Sequence, residues 1–258
     1  MIELQDVRRT YGNKIAVDAL TLSVPPGELF AFLGPNGAGK TTTIKMLVGL
    51  LRPSAGKIQL CGHDVVTQTA EANRRLGYVP DEPYLYEKLS GREFLQFVVD
   101  MYGVPHEVAQ QRIAREIQNF ELEGFVDELA ESYSHGMKQR LVFASALLHD
   151  PQVLVVDEPM VGLDPRSSRL VKDLLRERTA AGATVFMSTH TLAVAEEIAD
   201  RIGIIDHARL RFLGTVDQLE KQMQRPSSSL EQLFLELTEP TDEAAARPPG
   251  ELTESSMR

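Results

Sequence analysis

A chain of 258 residues, 43% apolar and 25% charged, has the make-up of a globular protein with room for one large core and a subdomain, or for two small domains. Its formal net charge of −10 is spread along the chain, which argues against nucleic acid as the main partner, because a phosphate backbone needs a basic face. One cysteine, Cys61, excludes an internal disulfide, and no apolar run approaches the roughly 20 residues that span a bilayer. The opening residues, MIELQDVRRT, lack the apolar stretch of a secretory leader, so the chain reads as cytosolic. Any membrane process it serves would draw its spans from another polypeptide.

The first 33 residues alternate in the manner of strands, in MIEL, ALTLSV and ELFAFL, with turns at YGN and PPG. A glycine-rich loop then leads into a helix, TTTIKMLVGLL, and KIQLCG reads as a further short strand. From about Tyr84 the pattern turns helical. Ser90 followed by Glu93 makes a capping box. Phe94, Phe97, Val98 and Met101 fall at i, i+3, i+4 and i+7, which predicts one apolar helix face, and Ile113, Ile117 and Phe120 predict a second. An all-helical insert, about 84–150, thus interrupts a strand-rich domain.

Strands return at QVLVVDEP and ATVFMSTH, each after helical sequence, an alternation that predicts parallel strands with crossover helices. RIGIID and ARLRFLG predict a hairpin. SSSLEQLFLELT carries a capping box from Ser228 to Glu231 and a stripe of Leu230, Leu233, Phe234 and Leu237, expected to pack on its own domain. The last segment, 239–258, is rich in Pro, Ala and charge and is expected to be disordered.

Chemistry concentrates in four places. GPNGAGKT fits the phosphate-binding pattern G-x-x-x-x-G-K-[ST] after a strand and before a helix. Its backbone (Gly34, Pro35, Asn36, Gly37, Ala38 and Gly39) can wrap phosphates with successive N–H groups, and the helix that follows, with Thr42 in its first turn as a further nucleotide-binding residue, adds its positive end. Lys40 would neutralise the β- and γ-phosphates of a nucleotide, and the Thr41 hydroxyl would ligate Mg²⁺. VLVVDE is an apolar run ending in two carboxylates, as a buried parallel strand delivers them to a ligand edge. Asp157 would hold Mg²⁺ through water, and Glu158 would serve as general base toward an attacking water. STH ends the next strand and places His190 on the same edge, within reach of a γ-phosphate. In ESYSHGMKQRL, Ser134 and Gly136 stand at the head of a helix and make a second anion site about a hundred residues from the first.

GPNGAGKT, SHGMKQR, VLVVDEP, GLDP and STH stand in the order and spacing of ATP-binding cassette (ABC) ATPases, and the resemblance covers roughly residues 2–238. It implies an α/β fold: a P-loop NTPase core with a mixed sheet, an antiparallel β subdomain and a helical insert. It implies a head-to-tail pair with a second copy of the chain, each ATP lying between the phosphate loop of one copy and the signature helix of the other. Ser134 and Gly136 keep the hydroxyl and the close-approach glycine of that signature, usually LSGGQ, whereas Tyr133, His135 and Met137 depart from it. Asp164 in GLDP matches the D-loop that crosses the dimer interface, and Tyr11 matches the aromatic that stacks on adenine. Asp81 stands where the family's Q-loop usually offers glutamine to Mg²⁺, with Glu82 beside it. In these features and in its LEQLFLELT helix the chain is similar to ATPase subunits of exporters whose permease is a separate integral membrane protein. The expected activity is ATP hydrolysis coupled to transport, with ATP and Mg²⁺ bound, at the inner face of the cell membrane. The main alternative is a soluble ABC ATPase of a non-transport assembly pathway. Nucleic-acid-acting relatives usually carry two cassettes or coiled-coil or zinc inserts, absent from this sequence, and the order of motifs argues against a P-loop kinase.

Overall fold

The computed structural model describes residues 1–226 and 228–238. In chain order the strands and helices are β1 (Ile2–Tyr11), β2 (Lys14–Val24), β3 (Leu29–Leu33), α1 (Lys40–Leu47), β4 (Ala55–Leu60), β5 (His63–Asp64), α2 (Thr69–Asn73), β6 (Leu76–Val79), α3 (Gly91–Met101), α4 (His106–Asn119), α5 (His135–Leu147), β7 (Val153–Asp157), α6 (Pro165–Ala180), β8 (Thr184–Thr189), α7 (Leu192–Ile198), β9 (Arg201–Asp206), β10 (Arg209–Gly214), α8 (Val216–Met223) and α9 (Leu230–Thr238). They build two sheets, ordered β2-β1-β4-β5 and β10-β9-β3-β8-β7-β6. The four-stranded sheet is antiparallel. In the six-stranded sheet β9, β3, β8, β7 and β6 run parallel, and β10 closes the edge as the antiparallel arm of the expected hairpin.

The burial patterns follow from these layers. β3, β7 and β8 are buried at every position, as parallel strands covered on both faces must be. Along β3 the period of two sends Phe30 and Phe32 to one side and Leu29, Ala31 and Leu33 to the other. Phe30 and Phe32 meet Phe186 of β8 at ring-centroid distances of 5.4 Å in the space between the two sheets. Gly203 of β9 leaves room for them: a Cβ there would stand 2.6 Å from the Phe30 ring. On the other side Leu33, Val156 and Met187 join the core that α5, α6 and the helical insert complete.

The insert begins on the expected capping box. Ser90 Oγ accepts from Glu93 N at 3.2 Å, and Glu93 Oε2 accepts from Ser90 N at 2.8 Å. Its apolar face is shifted from the one expected. Phe94, Leu95 and Val99 are buried and Val98 packs against them, but Phe97 is 39% and Met101 67% exposed. The apolar arc of α3 is wider than the strip that α4 and α5 can cover, so its overflow faces solvent beside Tyr84 and Tyr86. The second face, Ile113, Ile117 and Phe120, is buried as expected. Tyr133 is buried as well: its hydroxyl donates to Phe125 O at 2.8 Å and accepts from Gly91 N at 3.1 Å, tying the signature segment to the start of α3. Glu116, fully buried on α4, accepts from Arg178 of α6 at 3.2 Å and pairs with Arg115 at 2.8 Å, which joins the insert to the core helix.

The C-terminal capping box lies one residue later than expected. Ser229 Oγ accepts from Gln232 N at 3.4 Å and Gln232 Oε1 accepts from Ser229 N at 3.3 Å, because the helix starts at Leu230 and makes Ser229 its cap. Leu230 and Leu233 are fully buried against the same domain, with Phe234 and Leu237 packed beside them. The expectation for 239–258 lies outside the described residues. Among the described residues no helix is long and apolar enough to cross a membrane.

His149, after α5, stacks on Tyr102 at 3.8 Å and donates from Nε2 to Leu76 O at 3.0 Å. Burial pulls its pKa down to about 4. The unfolded chain therefore binds a proton that the folded chain refuses between about pH 6.5 and 4, and stability is lost as pH falls through that window. A His149→Phe variant, which keeps the stack and removes the titration, should lose about 2 kcal/mol less between pH 7 and 4.5 than the parent. Urea unfolding of both proteins at the two pH values measures the difference.

Candidate active site

Three strand ends meet on one edge of the large sheet. Residues 34–39 leave β3 as a tight loop and return as α1. Gly39 sits at φ +119°, and a Cβ on it would stand 2.5 Å from Ala16 O; one on Gly34 would stand 2.3 Å from Ile205 O. Gly37, at φ +81°, has nothing within 4 Å of that position and is the open apex of the loop. The geometry thus demands glycine twice for packing and once for an unobstructed approach. Lys40 is buried, and its ammonium donates to Gly34 O at 2.6 Å and Pro35 O at 3.3 Å. Burial pulls its pKa down, while Glu158 and Asp157 work against that pull. A buried lysine satisfied only by loop carbonyls is a cradle suited to polyanionic phosphate.

β7 and β8 pair so that Asp157 stands opposite Ser188. Asp157 is 4% exposed, and its Oδ1 accepts from the Ser188 hydroxyl. Burial pushes its carboxyl up, with the Ser188 bond opposing and Asp81 and Glu158 adding repulsion. Glu158 leaves the strand at φ +47°, a backbone region that side-chain-bearing residues avoid, and this turns its carboxylate out of the sheet edge. Glu158 Oε2 accepts from His190 N at 3.1 Å and lies 2.8 Å from His190 Nδ1. A carboxylate can only accept there, so Nδ1 carries the hydrogen.

Tyr11, Asn36, Gly37, Gly39, Lys40, Thr41, Thr42, Asp81, Glu158 and His190 all line one cleft of about 610 Å³. Asp157 is buried and does not line the cleft, though its charge acts on Lys40. Gly34, Pro35 and Ala38 form the back of the loop, where Ala38 N donates to Pro35 O at 3.2 Å. Asp81 enters from the segment after β6. Burial, Glu158 and Glu82 together push its carboxyl up, against His135 and His190. Tyr11 is 47% exposed at the rim, with the Arg9 guanidinium 4.6 Å from its ring centre. Lys14, Ala16 and Val161 also line the cleft and were not singled out in the sequence; neither was Ser188, whose signal is its place near the end of β8, two residues before His190.

Ser134, Gly136 and Asp164 do not line this cleft. Ser134 caps α5, accepting from Met137 N at 3.3 Å, and a Cβ on Gly136 would meet nothing within 4 Å. Asp164 caps α6: its carboxylate accepts from Ser167 Oγ at 2.6 Å, Ser167 N at 3.1 Å and Arg166 N at 2.9 Å, and these bonds hold it below the usual carboxylate range. Among the described residues no three of His, Cys, Asp and Glu gather as a metal cage. Thr41, Asp157 and Asp81 offer oxygen donors alone, a set that fits a hard cation sharing its shell with phosphate and water.

A phosphate cradle facing a carboxylate–histidine pair defines a phosphate-loop nucleoside triphosphatase. Residues 17–161 match the family model described as ABC transporter. The chain is 37% identical over 219 residues to the linearmycin resistance ATP-binding protein LnrL of Bacillus subtilis (strain 168), covering 85% of this chain and 70% of that one. It is 41% identical over 208 residues to the Nod factor export ATP-binding protein I of Burkholderia orbicola (strain AU 1054), covering 81% and 68%. A solved ATP-binding subunit of an ABC transporter superposes with a TM-score of 0.88 at 33% identity, covering 92% of this chain and 99% of that one. The chain belongs to the ABC transporter family and is one of its ATP-hydrolysing subunits.

His190 is the one side-chain partner of the Glu158 carboxylate among the described residues. A His190→Ala variant should lose about 10²-fold in turnover while binding ADP, which lacks the γ-phosphate, as the parent does. Phosphate release and a fluorescent-nucleotide titration separate the two effects.

Proposed function

We propose that this subunit powers export by closing on a second copy of itself around ATP, and that it passes the motion to a separate integral membrane permease. The observation that carries the reading is the position of Ser134, Gly136 and Asp164. They are presented away from their own chain's cleft, at two helix starts, and Gly136 faces open space. A head-to-tail partner brings those groups to the exposed side of each cleft, so one symmetric contact completes two sites. The relatives named for linearmycin resistance and Nod factor export support the outward direction.

Within each site the chain's residues divide the work. Tyr11 stacks on adenine. Lys40 exchanges the carbonyls of Gly34 and Pro35 for phosphate oxygens, and the loop N–H groups surround the phosphates. Thr41, Asp157 and Asp81 would hold Mg²⁺, which when bound would offset negative charge on the phosphates. Glu158 takes a proton from the attacking water on Oε1, while His190 N–H and Nδ1–H hold the carboxylate in place through Oε2. Donating to Glu158 and to a γ-phosphate oxygen together takes both ring protons of His190. Closure does work because ATP binds the closed pair more tightly than the open one.

The exposed overflow of α3 supports the membrane partner. Tyr84, Tyr86, Phe97 and Met101 are 78%, 50%, 39% and 67% exposed, and the Tyr86 and Phe97 rings meet edge-on at 5.5 Å. An aromatic patch of this kind suits an amphipathic helix from the permease. The reading places the subunit on the inner face of the cell membrane.

Glu158→Gln should abolish steady-state turnover, retain ATP and elute as a dimer with ATP on gel filtration; a monomer under those conditions overturns the two-copy mechanism. Ser134→Ala should cripple hydrolysis by about 10²-fold and leave nucleotide binding to the monomer unchanged. Purification of the tagged chain from solubilised membranes of its host should recover a multi-span protein in equal amount. Recovery with soluble partners alone would favour an assembly ATPase instead.

A further inference from the structure

His135 is the first residue of α5 and occupies the middle of YSHGM, where the commoner signature has glycine and so no side chain. Its Nε2 lies 3.3 Å from Val161 O. A carbonyl only accepts, so Nε2 carries the hydrogen. Gly162, at φ +72°, makes room for the ring: a Cβ at 162 would stand 2.8 Å from His135 Cδ2 and 3.0 Å from Nε2. Val161 sits between Glu158 and Asp164 in the chain. It lines the nucleotide cleft and also a second opening of about 500 Å³, whose wall includes Asp81, His135 and Lys138. One imidazole therefore bridges the head of the signature helix and the segment that carries both the base and the D-loop aspartate.

We infer that His135 is a positioning residue that pins Val161 and Gly162 to the signature helix of the same chain. Glu158, which serves this chain's own ATP, and Ser134 and Asp164, which are offered to the partner's ATP, then shift as one piece. The two sites of the pair are coupled through this contact. The coupling rests on the two-copy reading above; the contact itself does not.

The test uses the full chain with His135→Gly, which removes the bridge, and His135→Gln, whose amide N–H can reach the same carbonyl. Hydrogen exchange of the nucleotide-free protein should rise at the amides of 161–163 in His135→Gly and return toward the parent rate in His135→Gln. Unchanged exchange overturns the contact, whatever the oligomeric state with ATP. Steady-state kinetics should show kcat lowered about tenfold in His135→Gly, the scale of one neutral hydrogen bond, with monomer nucleotide affinity unchanged and the Hill coefficient reduced toward 1. His135→Gln should recover most of both. A parental kcat and Hill coefficient in His135→Gly overturns the coupling role, as does a loss that glutamine leaves unrestored. Raised exchange at 161–163 alongside a Glu158→Gln protein that stays monomeric with ATP keeps the contact and rejects the two-copy reading.

Discussion

Strand register is the constraint on which the rest of this molecule depends. β7 and β8 are parallel with Asp157 opposite Ser188, and β3 is parallel to β8 with Leu33 opposite Thr189. The phosphate loop, the two carboxylates and His190 therefore leave the sheet at one edge. A slip of one residue in β7 would turn Asp157 to the opposite face and carry every apolar side chain of the strand with it. Buried Phe, Val and Met on both faces make such a slip costly, so the same packing that stabilises the sheet also aligns the chemistry.

The second organising device is the attachment of the helical insert. Its contacts with the rest of the chain are polar as well as apolar: Glu116 meets Arg178 of α6, and His149 donates to Leu76 O of β6 at 3.0 Å. Within the insert Tyr133 braces Gly91, so a departure from the commonest signature has a structural role next to its exposed Ser134. The residue after Ser134 departs from that signature as well, and His135 too finds a partner, Val161 O, rather than open space. The variant signature is thus built into its surroundings on both sides of the serine.

Much of this was legible in the sequence, for identifiable reasons. Uninterrupted apolar runs at VLVVD and TVFMST carry a buried parallel strand on their face, and G-x-x-x-x-G-K-[ST] between strand and helix carries a phosphate loop. What was misjudged concerns choices among neighbouring solutions. SSSLEQ offers two overlapping boxes, Ser228–Glu231 and Ser229–Gln232, and only the packing of Leu230 decides between them. On α3 the apolar residues cover more of the helix than its neighbours can bury, so periodicity alone could not tell Val99 from Met101. Ser188 under Asp157 and Val161 against His135 depend on pairings between distant segments, which no local pattern encodes.

Glu158 holds a further consequence. Its left-handed backbone, at φ +47°, is a conformation that glycine adopts freely and asparagine tolerates better than glutamate. Strain of this kind amounts to about 1–3 kcal/mol, and here it falls on the residue assigned the proton transfer. With the proposed role, thermal stability and catalysis pull this position in opposite directions. A screen that selected only for heat resistance would drift toward silent subunits on that role, whereas selection for hydrolysis would keep a mildly unfavourable turn at the end of β7.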